Sequence, residues 1–262
     1  MEKHQEEANY LKSLAIKAGK AIMEVYEREF DVEIKEDDSP LTEADKKSNS
    51  IIVNGLREVF PNYAVLSEES KDDKSRLNND FCFIVDPLDG TKEFIKQNGQ
   101  FTVNIALCYK KRPILGVIYA PAIKKLYYAF KGEGAYLEDV ESGEEKRLKV
   151  TDKTNNLIIV ASRSHSSQKE KQLIDDHKEL ISDVIYAGSS LKGCKVAEGK
   201  ADVYYRFGLT SEWDTAAMHC IVKESGGIFR QLDGSEMLYN RENVLNEKGF
   251  YVVNREENIW VY

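Results

Sequence analysis

The chain has 262 residues, 42% hydrophobic and 31% charged, enough for one large domain or two modest ones with a sizeable core. Five prolines among so many apolar residues argue against general disorder, and a net charge of −8 with no basic stripe argues against a nucleic acid polymer as partner. No run reaches the roughly 18 apolar residues of a membrane span, so stable membrane insertion is not expected. The charged start MEKHQEEANYLKS lacks the apolar stretch of a secretory signal. Cys82, Cys108, Cys194 and Cys220 are scattered, form no CxxC, and read as reduced thiols. The expectation is a soluble cytoplasmic protein of the α/β class. Peripheral association with the inner face of the membrane stays open, as does monomer against homodimer.

Leu11, Leu14, Ala15, Ala18, Ile22 and Val25 recur at helical spacing, which predicts a first amphipathic helix. The polar run 35–40 follows, with Pro40 as a breaker. Thr42 has the look of an N-cap with Asp45 completing a capping box, so a second helix is predicted to about Val59, before Pro61. Tyr63 to Leu66 and the apolar run Phe81–Val85 read as strands, the latter buried. Segments 101–109, 114–120 and 126–130 predict an antiparallel meander. The charged stretch 141–147 is predicted to be a loop and a domain boundary, dividing residues 1–148 (α+β) from 149–262 (α/β). In the second half, strands at 157–161, 184–186, 203–207 and 250–253 alternate with helices at 167–180, 189–198 and 213–225, as in a layered α/β domain.

The strongest local signal is Asp86-Pro-Leu-Asp89-Gly-Thr91, directly after the buried strand. Pro87 continues neither a ladder nor a helix, so a turn is predicted at the strand end, with Gly90 permitting a tight path. Two carboxylates and the Leu88 carbonyl are then held close together, an oxygen-only donor set suited to Mg²⁺; an ordinary surface turn is the alternative. Glu68 and Glu69 follow another short apolar run, and Asp214 opens an apolar helix, where an acid is also favoured by the helix dipole. If Glu68, Asp86, Asp89 and Asp214 converge, their repulsion calls for cations, and two-metal sites are a standard means of hydrolysing phosphate esters.

These residues resemble a known family. SEES (67–70), DPLDGTKEF (86–94) and WDTAA (213–217), with DSPLTEAD (38–45) ahead of them, are similar to the metal-dependent, lithium-sensitive phosphatases related to inositol monophosphatase. DPLDGTKEF, in place of the DPxDGTxNF usual in inositol monophosphatases, resembles the branch of CysQ-type 3′(2′),5′-bisphosphate nucleotidases; so does GSSLKGCKVAEGKADVYYRFG (188–208) leading into WDTAA. The resemblance implies a layered αβαβα sandwich, two or three Mg²⁺ ions, and hydrolysis of the 3′-phosphate of adenosine 3′,5′-bisphosphate to AMP, with a link to sulfate assimilation. It implies that Glu68, Asp86, the Leu88 carbonyl, Asp89 and Asp214 ligate metal, with Asp86 bridging. It implies that Thr91 and Asp45 hold and deprotonate the attacking water, and that Glu69 lies near a third ion or its waters. Gly90 and Thr91 would offer N–H groups to phosphate, and Glu68, Leu88, Asp89 and Asp214 would also touch substrate. Inositol monophosphatase or fructose-1,6-bisphosphatase activity is the alternative within enzymes, and a metal or nucleotide sensor the alternative outside them.

Substrate choice points to four places. Gly188, Ser189 and Ser190 precede a helix and could receive a phosphate or ribose, or Ser190 could be a plain N-cap. Lys192 faces a phosphate or is a solvated helix lysine. Arg206 grips a second phosphate or stacks on tyrosine. Lys35 is expected to be a solvated loop lysine, with contact to phosphate or metal-bound water as the alternative. His4, His165, His177 and His219 share no ligand spacing, and His219 reads as a packed histidine. Trp260 and Tyr262 form a C-terminal anchor or a loose end.

Overall fold

A computed structural model describes residues 2–35, 40–162 and 167–260. Asp38 and Ser39 of the DSPLTEAD motif, His165 and Tyr262 lie outside the described residues. The amphipathic helix α1 spans Glu2–Tyr26 and the capped helix α2 spans Glu43–Val59. They pack together on one face of a seven-stranded sheet. That sheet runs in the order β3 (Ala64–Ser67), β4 (Phe81–Asp89), β5 (Thr102–Tyr109), β6 (Arg112–Ala120), β7 (Lys125–Phe130), β8 (Gly134–Asp139) and β9 (Glu145–Arg147). Only β3–β4 is parallel; every other neighbouring pair is antiparallel, as the meander predicts.

Both faces of this sheet are buried, which is why its strands read as continuous apolar runs. Phe83, Val85, Val103, Ile105, Leu115 and Val117 point toward α1 and α2, while their alternates Cys82, Ile84, Ala106, Cys108 and Ile118 belong to the core on the other side. That second core is filled by α5 (Leu191–Ala197) and α6 (Glu212–Glu224). Helix α6 is apolar nearly all round, as a helix sandwiched between two sheets must be.

Beyond α5 and α6 lies a five-stranded sheet ordered β11 (Ile181–Tyr186), β10 (Leu157–Ala161), β12 (Val203–Arg206), β14 (Phe250–Val253) and β13 (Ile228–Gln231). Its far face packs Leu157, Ile159, Val203, Tyr205 and Val253 against Leu173 of α4 (Gln168–Asp176) and Trp260. The result is the expected αβαβα layering. A short pair, β1 (Val32–Ile34) with β2 (Pro40–Thr42), lies apart from both sheets, and the five-residue helix α3 (Thr91–Ile95) follows β4.

Several expectations are corrected. The chain does not turn at Pro87. Strand β4 continues to Asp89, with a bulge between Asp86, paired with Asn104, and Asp89, paired with Thr102. Pro40 lies in a strand instead of breaking one. Glu145–Arg147, placed in a loop, forms the edge strand β9; its partner β8, together with β1 and β13, carries too short or too mixed a pattern to be read. The helix expected over 167–180 ends at Asp176 and gives way to a 3₁₀ turn, and the helix expected from Ser189 begins at Leu191. His219 is packed, as expected, stacked on Phe229 with Nδ1 3.0 Å from the Tyr239 hydroxyl. Trp260 is an anchor, stacked on His177 and Tyr205.

Gly116 on β6 sets how closely α6 approaches the large sheet. A Cβ there would stand 2.5 Å from the Ala217 carbonyl oxygen. Because that neighbour is helix backbone, relief requires the helix to move. Gly116→Ala is expected to cost roughly 1–3 kcal/mol. Thermal melting is expected to show a fall of several degrees, and an unchanged Tm would show that the helix is free to shift.

Candidate active site

The bulge in β4 is what makes the site. Side chains three apart on a regular strand face opposite sides, since the period is two. One extra residue restores Asp86 and Asp89 to the same side. Ser48 of α2 fixes the bulge by donating from its hydroxyl to the Pro87 carbonyl at 2.6 Å, and the Leu88 N–H donates to Asp86 Oδ1 at 3.1 Å. Gly90 follows in the left-handed region (φ +91°), where a Cβ would also lie 3.2 Å from the Gln100 carbonyl oxygen, so glycine is needed on both counts.

Asp214 enters from the first turn of α6, where it also closes a capping box by accepting from the Ser211 N–H at 2.5 Å. Asp86, Asp89 and Asp214 thereby offer one carboxylate oxygen each, all within 4.8 Å of one another. These three come from two distant parts of the chain. Glu68, just past the end of β3, shares the cleft with Asp89 and Asp214, but its Oε1 accepts from Lys35 Nζ at 2.9 Å and it is not part of the trio. Lys35 also pairs with Glu69. The expectation of a solvated Lys35 is therefore wrong: the ammonium is drawn in by two adjacent acids.

The electrostatics express the crowding. Burial first, then Glu68, Asp89, Asp214 and Asp45, hold the Asp86 carboxyl well above the usual range; it is 1% exposed. Burial and the nearby Asp89 push Asp214 up to about 8. Glu68 is raised by burial against the opposing pull of Lys35. Burial lowers the Lys35 pKa, but Glu68 and Glu69 more than offset it and the net direction is up. Such a cluster is stable as carboxylates only when cations share it, and its all-oxygen donors fit a hard divalent ion.

Asp45 and Thr91 meet beside this trio. Asp45 Oδ2 accepts from the Thr42 N–H at 2.7 Å and the Thr42 hydroxyl at 2.6 Å, while Thr91 Oγ1 lies 3.1 Å from Asp45 Oδ1 and 3.2 Å from the Leu88 carbonyl oxygen. Burial raises the Asp45 carboxyl, against the hydrogen bonds from Thr42 and Thr91. Asp45 thus caps α2 and leaves its second oxygen to Thr91.

The serines behave differently from expectation. The Ser190 N–H (2.8 Å), the Ser190 hydroxyl (2.9 Å) and the Ser189 hydroxyl (2.6 Å) all donate to Asp89 Oδ2, so these groups serve the acid instead of standing free for a phosphate. Ser190 makes no side-chain cap to α5, and Ser189 adopts φ +53°, a local strain that turns both toward Asp89. Gly188 permits the loop's close approach: a Cβ there would lie 2.7 Å from the Gln100 carbonyl oxygen.

A cleft of about 240 Å³ opens over these groups. Glu68, Asp89, Gly90, Thr91 and Asp214 line it together with Gly188, Ser189, Lys192 and Arg206. Asp86, Leu88, Asp45, Glu69 and Ser190 are not part of the lining. Lys192 is no solvated helix lysine: it is 8% exposed, its Nζ donates to the Ser189 carbonyl at 2.8 Å and lies 5.6 Å from the Tyr204 ring centroid, and burial lowers its pKa. Sequence reasoning missed Thr102, Asn104 and Glu93. Asn104 Nδ2 donates to Asp89 Oδ2 at 3.1 Å and to Ser190 Oγ at 2.9 Å; Thr102 Oγ1 is 2.6 Å from Ser189 Oγ; Glu93 is buried and lines the cleft. A lone asparagine inside the apolar run TVNIALCY is the signal that could have found Asn104, since a buried polar side chain needs a reason.

The model of the inositol monophosphatase family matches residues 3–259. The chain belongs to the inositol monophosphatase family. The 3′(2′),5′-bisphosphate nucleotidase CysQ of Salmonella typhimurium is 45% identical over 91% of this chain and 96% of its own, and that of Escherichia coli K12 is 44% identical over the same shares. The crystal structure of CysQ from Bacteroides thetaiotaomicron, a bacterial member of the inositol monophosphatase family, superposes with a TM-score of 0.85 at 43% identity, covering 96% of this chain and 98% of the other. The inositol monophosphatase family is metal-dependent, and the trio Asp86, Asp89 and Asp214 is chemically suited to that dependence.

Proposed function

We propose that this protein is a Mg²⁺-dependent 3′(2′),5′-bisphosphate nucleotidase that cleaves the 3′-phosphate of adenosine 3′,5′-bisphosphate to give AMP and phosphate. The observation that carries this reading is the trio of aspartate oxygens within 4.8 Å at a cleft that is also lined by cationic side chains, Lys192 and Arg206 among them. The naming of the nucleotidase relatives supports the choice of substrate. In this reading Asp86, Asp89, Asp214, the Leu88 carbonyl and Glu68 hold two or three Mg²⁺ ions, with Glu69 and Lys35 adjusting the charge around Glu68. Bound Mg²⁺ would acidify water and neutralise charge on the phosphate.

The chain's own residues do the rest. Thr91 Oγ1 orients the attacking water; as its hydroxyl proton passes to Asp45 Oδ1, its oxygen takes a proton from that water. The raised Asp45 carboxyl is the stronger base for it. The new bond forms between the water oxygen and phosphorus, the bond from phosphorus to the 3′-oxygen breaks, that oxygen takes up a proton from a second water molecule, and Asp45 returns its proton to solvent. Gly90 and Thr91 offer backbone N–H groups to the phosphate. Lys192 and Arg206 take the second phosphate, and Gly188 and Ser189 border the sugar. Residues 1–148 then form the metal-bearing lobe and 149–262 the lobe that supplies these cations and Asp214. The four buried, unbridged cysteines support a cytoplasmic setting, and among the described residues no helix is long and apolar enough to cross a membrane.

Phosphate release from adenosine 3′,5′-bisphosphate, inositol 1-phosphate and fructose 1,6-bisphosphate, each with Mg²⁺ and with EDTA, tests the reading. The nucleotide is expected to be the best substrate and EDTA to abolish release; equal or better turnover of the inositol ester would overturn the substrate. Arg206→Ala is expected to raise KM for the nucleotide by about tenfold to a hundredfold, the loss of a charge-assisted hydrogen bond, with a smaller effect on inositol 1-phosphate. Equal effects on both substrates would remove Arg206 from the second-phosphate site.

A further inference from the structure

Glu212 is fully buried two residues before Asp214 and is not among the residues lining the cleft. Its carboxylate is shared among donors of one irregular segment, 240–246. Oε2 accepts from the Asn240 N–H at 2.7 Å; Oε1 accepts from the Arg241 N–H and from Arg241 Nε, both at 2.9 Å. Arg241 Nη2 donates onward to Asn246 Oδ1 at 2.7 Å. Asn246 Nδ2 reaches the Ser211 carbonyl at 2.7 Å, Thr210 Oγ1 at 3.1 Å and Thr215 Oγ1 at 3.2 Å. The backbone joins as well: the Glu212 N–H bonds the Val244 carbonyl at 2.9 Å and the Asn246 N–H bonds the Thr210 carbonyl at 2.7 Å. Every residue from Thr210 to Glu212 is thus bonded to this segment.

The same segment is tied to the other half of the site. Arg76 Nη1 donates to Asn240 Oδ1 at 2.8 Å, and Asn240 Nδ2 donates to the Arg76 carbonyl at 3.0 Å. Arg76 is itself held by Asp72, at 3.1 and 2.8 Å. Residues 72–79 connect β3 to β4, the strands that lead to Glu68 and carry Asp86 and Asp89. One continuous set of hydrogen bonds therefore links the start of α6 to the connection between the strands bearing the other acids.

The body of α6 is fixed by its apolar packing, from Ala216 to Val222. Its first turn adds only the partly buried Trp213 to that core, and the turn carries a carboxylate repelled by two others. We propose that Glu212, with Arg241 and Asn246, is a positioning clamp: it holds the first turn of α6 so that the Asp214 carboxylate stays within ion-sharing distance of Asp86 and Asp89. This rests on the reading of that trio as a Mg²⁺ site. Removing the clamp leaves the helix in place and loosens one ligand, so the effect falls on metal affinity before it falls on folding.

The test uses the full-length protein, Glu212→Gln and the milder Arg241→Lys, which keeps the charge. Mg²⁺ binding is measured by calorimetry, beside the Mg²⁺ dependence of phosphate release. Both variants are expected to bind Mg²⁺ about tenfold or more weakly, as for lost support of a metal ligand. The half-saturating Mg²⁺ concentration rises by the same factor, and kcat recovers at saturating Mg²⁺. Folded variants that bind Mg²⁺ as tightly as the unmodified protein overturn the clamp, whatever their Tm, and leave the metal site standing. Unmodified protein that binds no Mg²⁺ overturns both.

Discussion

Replacing Asp89 by Asn is expected to lower kcat by about a thousandfold, the largest effect of any single change in the cleft. Asn104, Ser189 and Ser190 place four donors on Asp89 Oδ2. An asparagine keeps those bonds only by putting its amide oxygen there, and its NH₂ then replaces the other carboxylate oxygen. That group cannot ligate a hard cation. The loss of one charged ligand from a metal site worth several kcal/mol of transition-state stabilisation corresponds to roughly three decades at about 1.36 kcal/mol each. The fold should survive, because the substitution conserves shape and removes a charge repelled by Asp86 and Asp214. Steady-state kinetics across a Mg²⁺ series, with melting curves alongside, check this; a fall of less than tenfold in a folded variant would take Asp89 out of the metal site.

The second large effect concerns the protein stripped of metal. Asp86 is raised by burial and by Glu68, Asp89 and Asp214, and Asp214 is raised by burial and by Asp89, to about 8. In the unfolded chain an aspartate titrates near pH ~3.9. Between those values the folded state binds more protons than the unfolded state, so stability falls as pH rises through the window. Glu68 and Asp45 are also raised and act in the same direction. Acids depressed by partners, such as Asp72, contribute stability that is lost only at lower pH; buried His219, held down to about 3, opposes the trend below pH ~6.5, but by one proton against the two of Asp86 and Asp214. In EDTA, Tm is expected to decline from about pH 5 to pH 8 as these carboxyls ionise. Mg²⁺ well above its dissociation constant should restore roughly 5–10 °C at pH 8, and much less at pH 5, where protons already neutralise the cluster. A metal-free Tm that rises over this interval would contradict the raised values, and with them the convergence of the acids.

Both effects depend on groups whose legibility in the sequence differed. Asp86 and Asp89 were readable because an acid-rich turn signal directly follows a continuous apolar strand. What the strand does there was not readable: Pro87 argues for a turn, yet Ser48 and the Asp86–Asn104 register hold a bulge and carry β4 on to Asp89. Asp45 was legible as the third residue of a capping box, a strictly local pattern, whereas its contact with Thr91 joins positions 46 apart. Lys35 shows the opposite error, and Lys192 an open choice. A lysine in a polar run reads as solvated, and one on a helix of small residues as solvated or facing phosphate; both are drawn inward, Lys35 to Glu68 and Glu69 and Lys192 into the cleft wall.

By itself, the sequence determined most of the protein's helices, its main apolar strands and the positions of its acids, because hydrophobic period, capping patterns and proline act over a few residues. Only the tertiary structure decided which acids meet, which donors Asp89 absorbs and which cations lose their water. Those outcomes depend on helix α6 lying over Gly116 and on the bulge in β4. Long-range packing of this kind is set by shape and burial among segments far apart in the chain, and no local pattern encodes it.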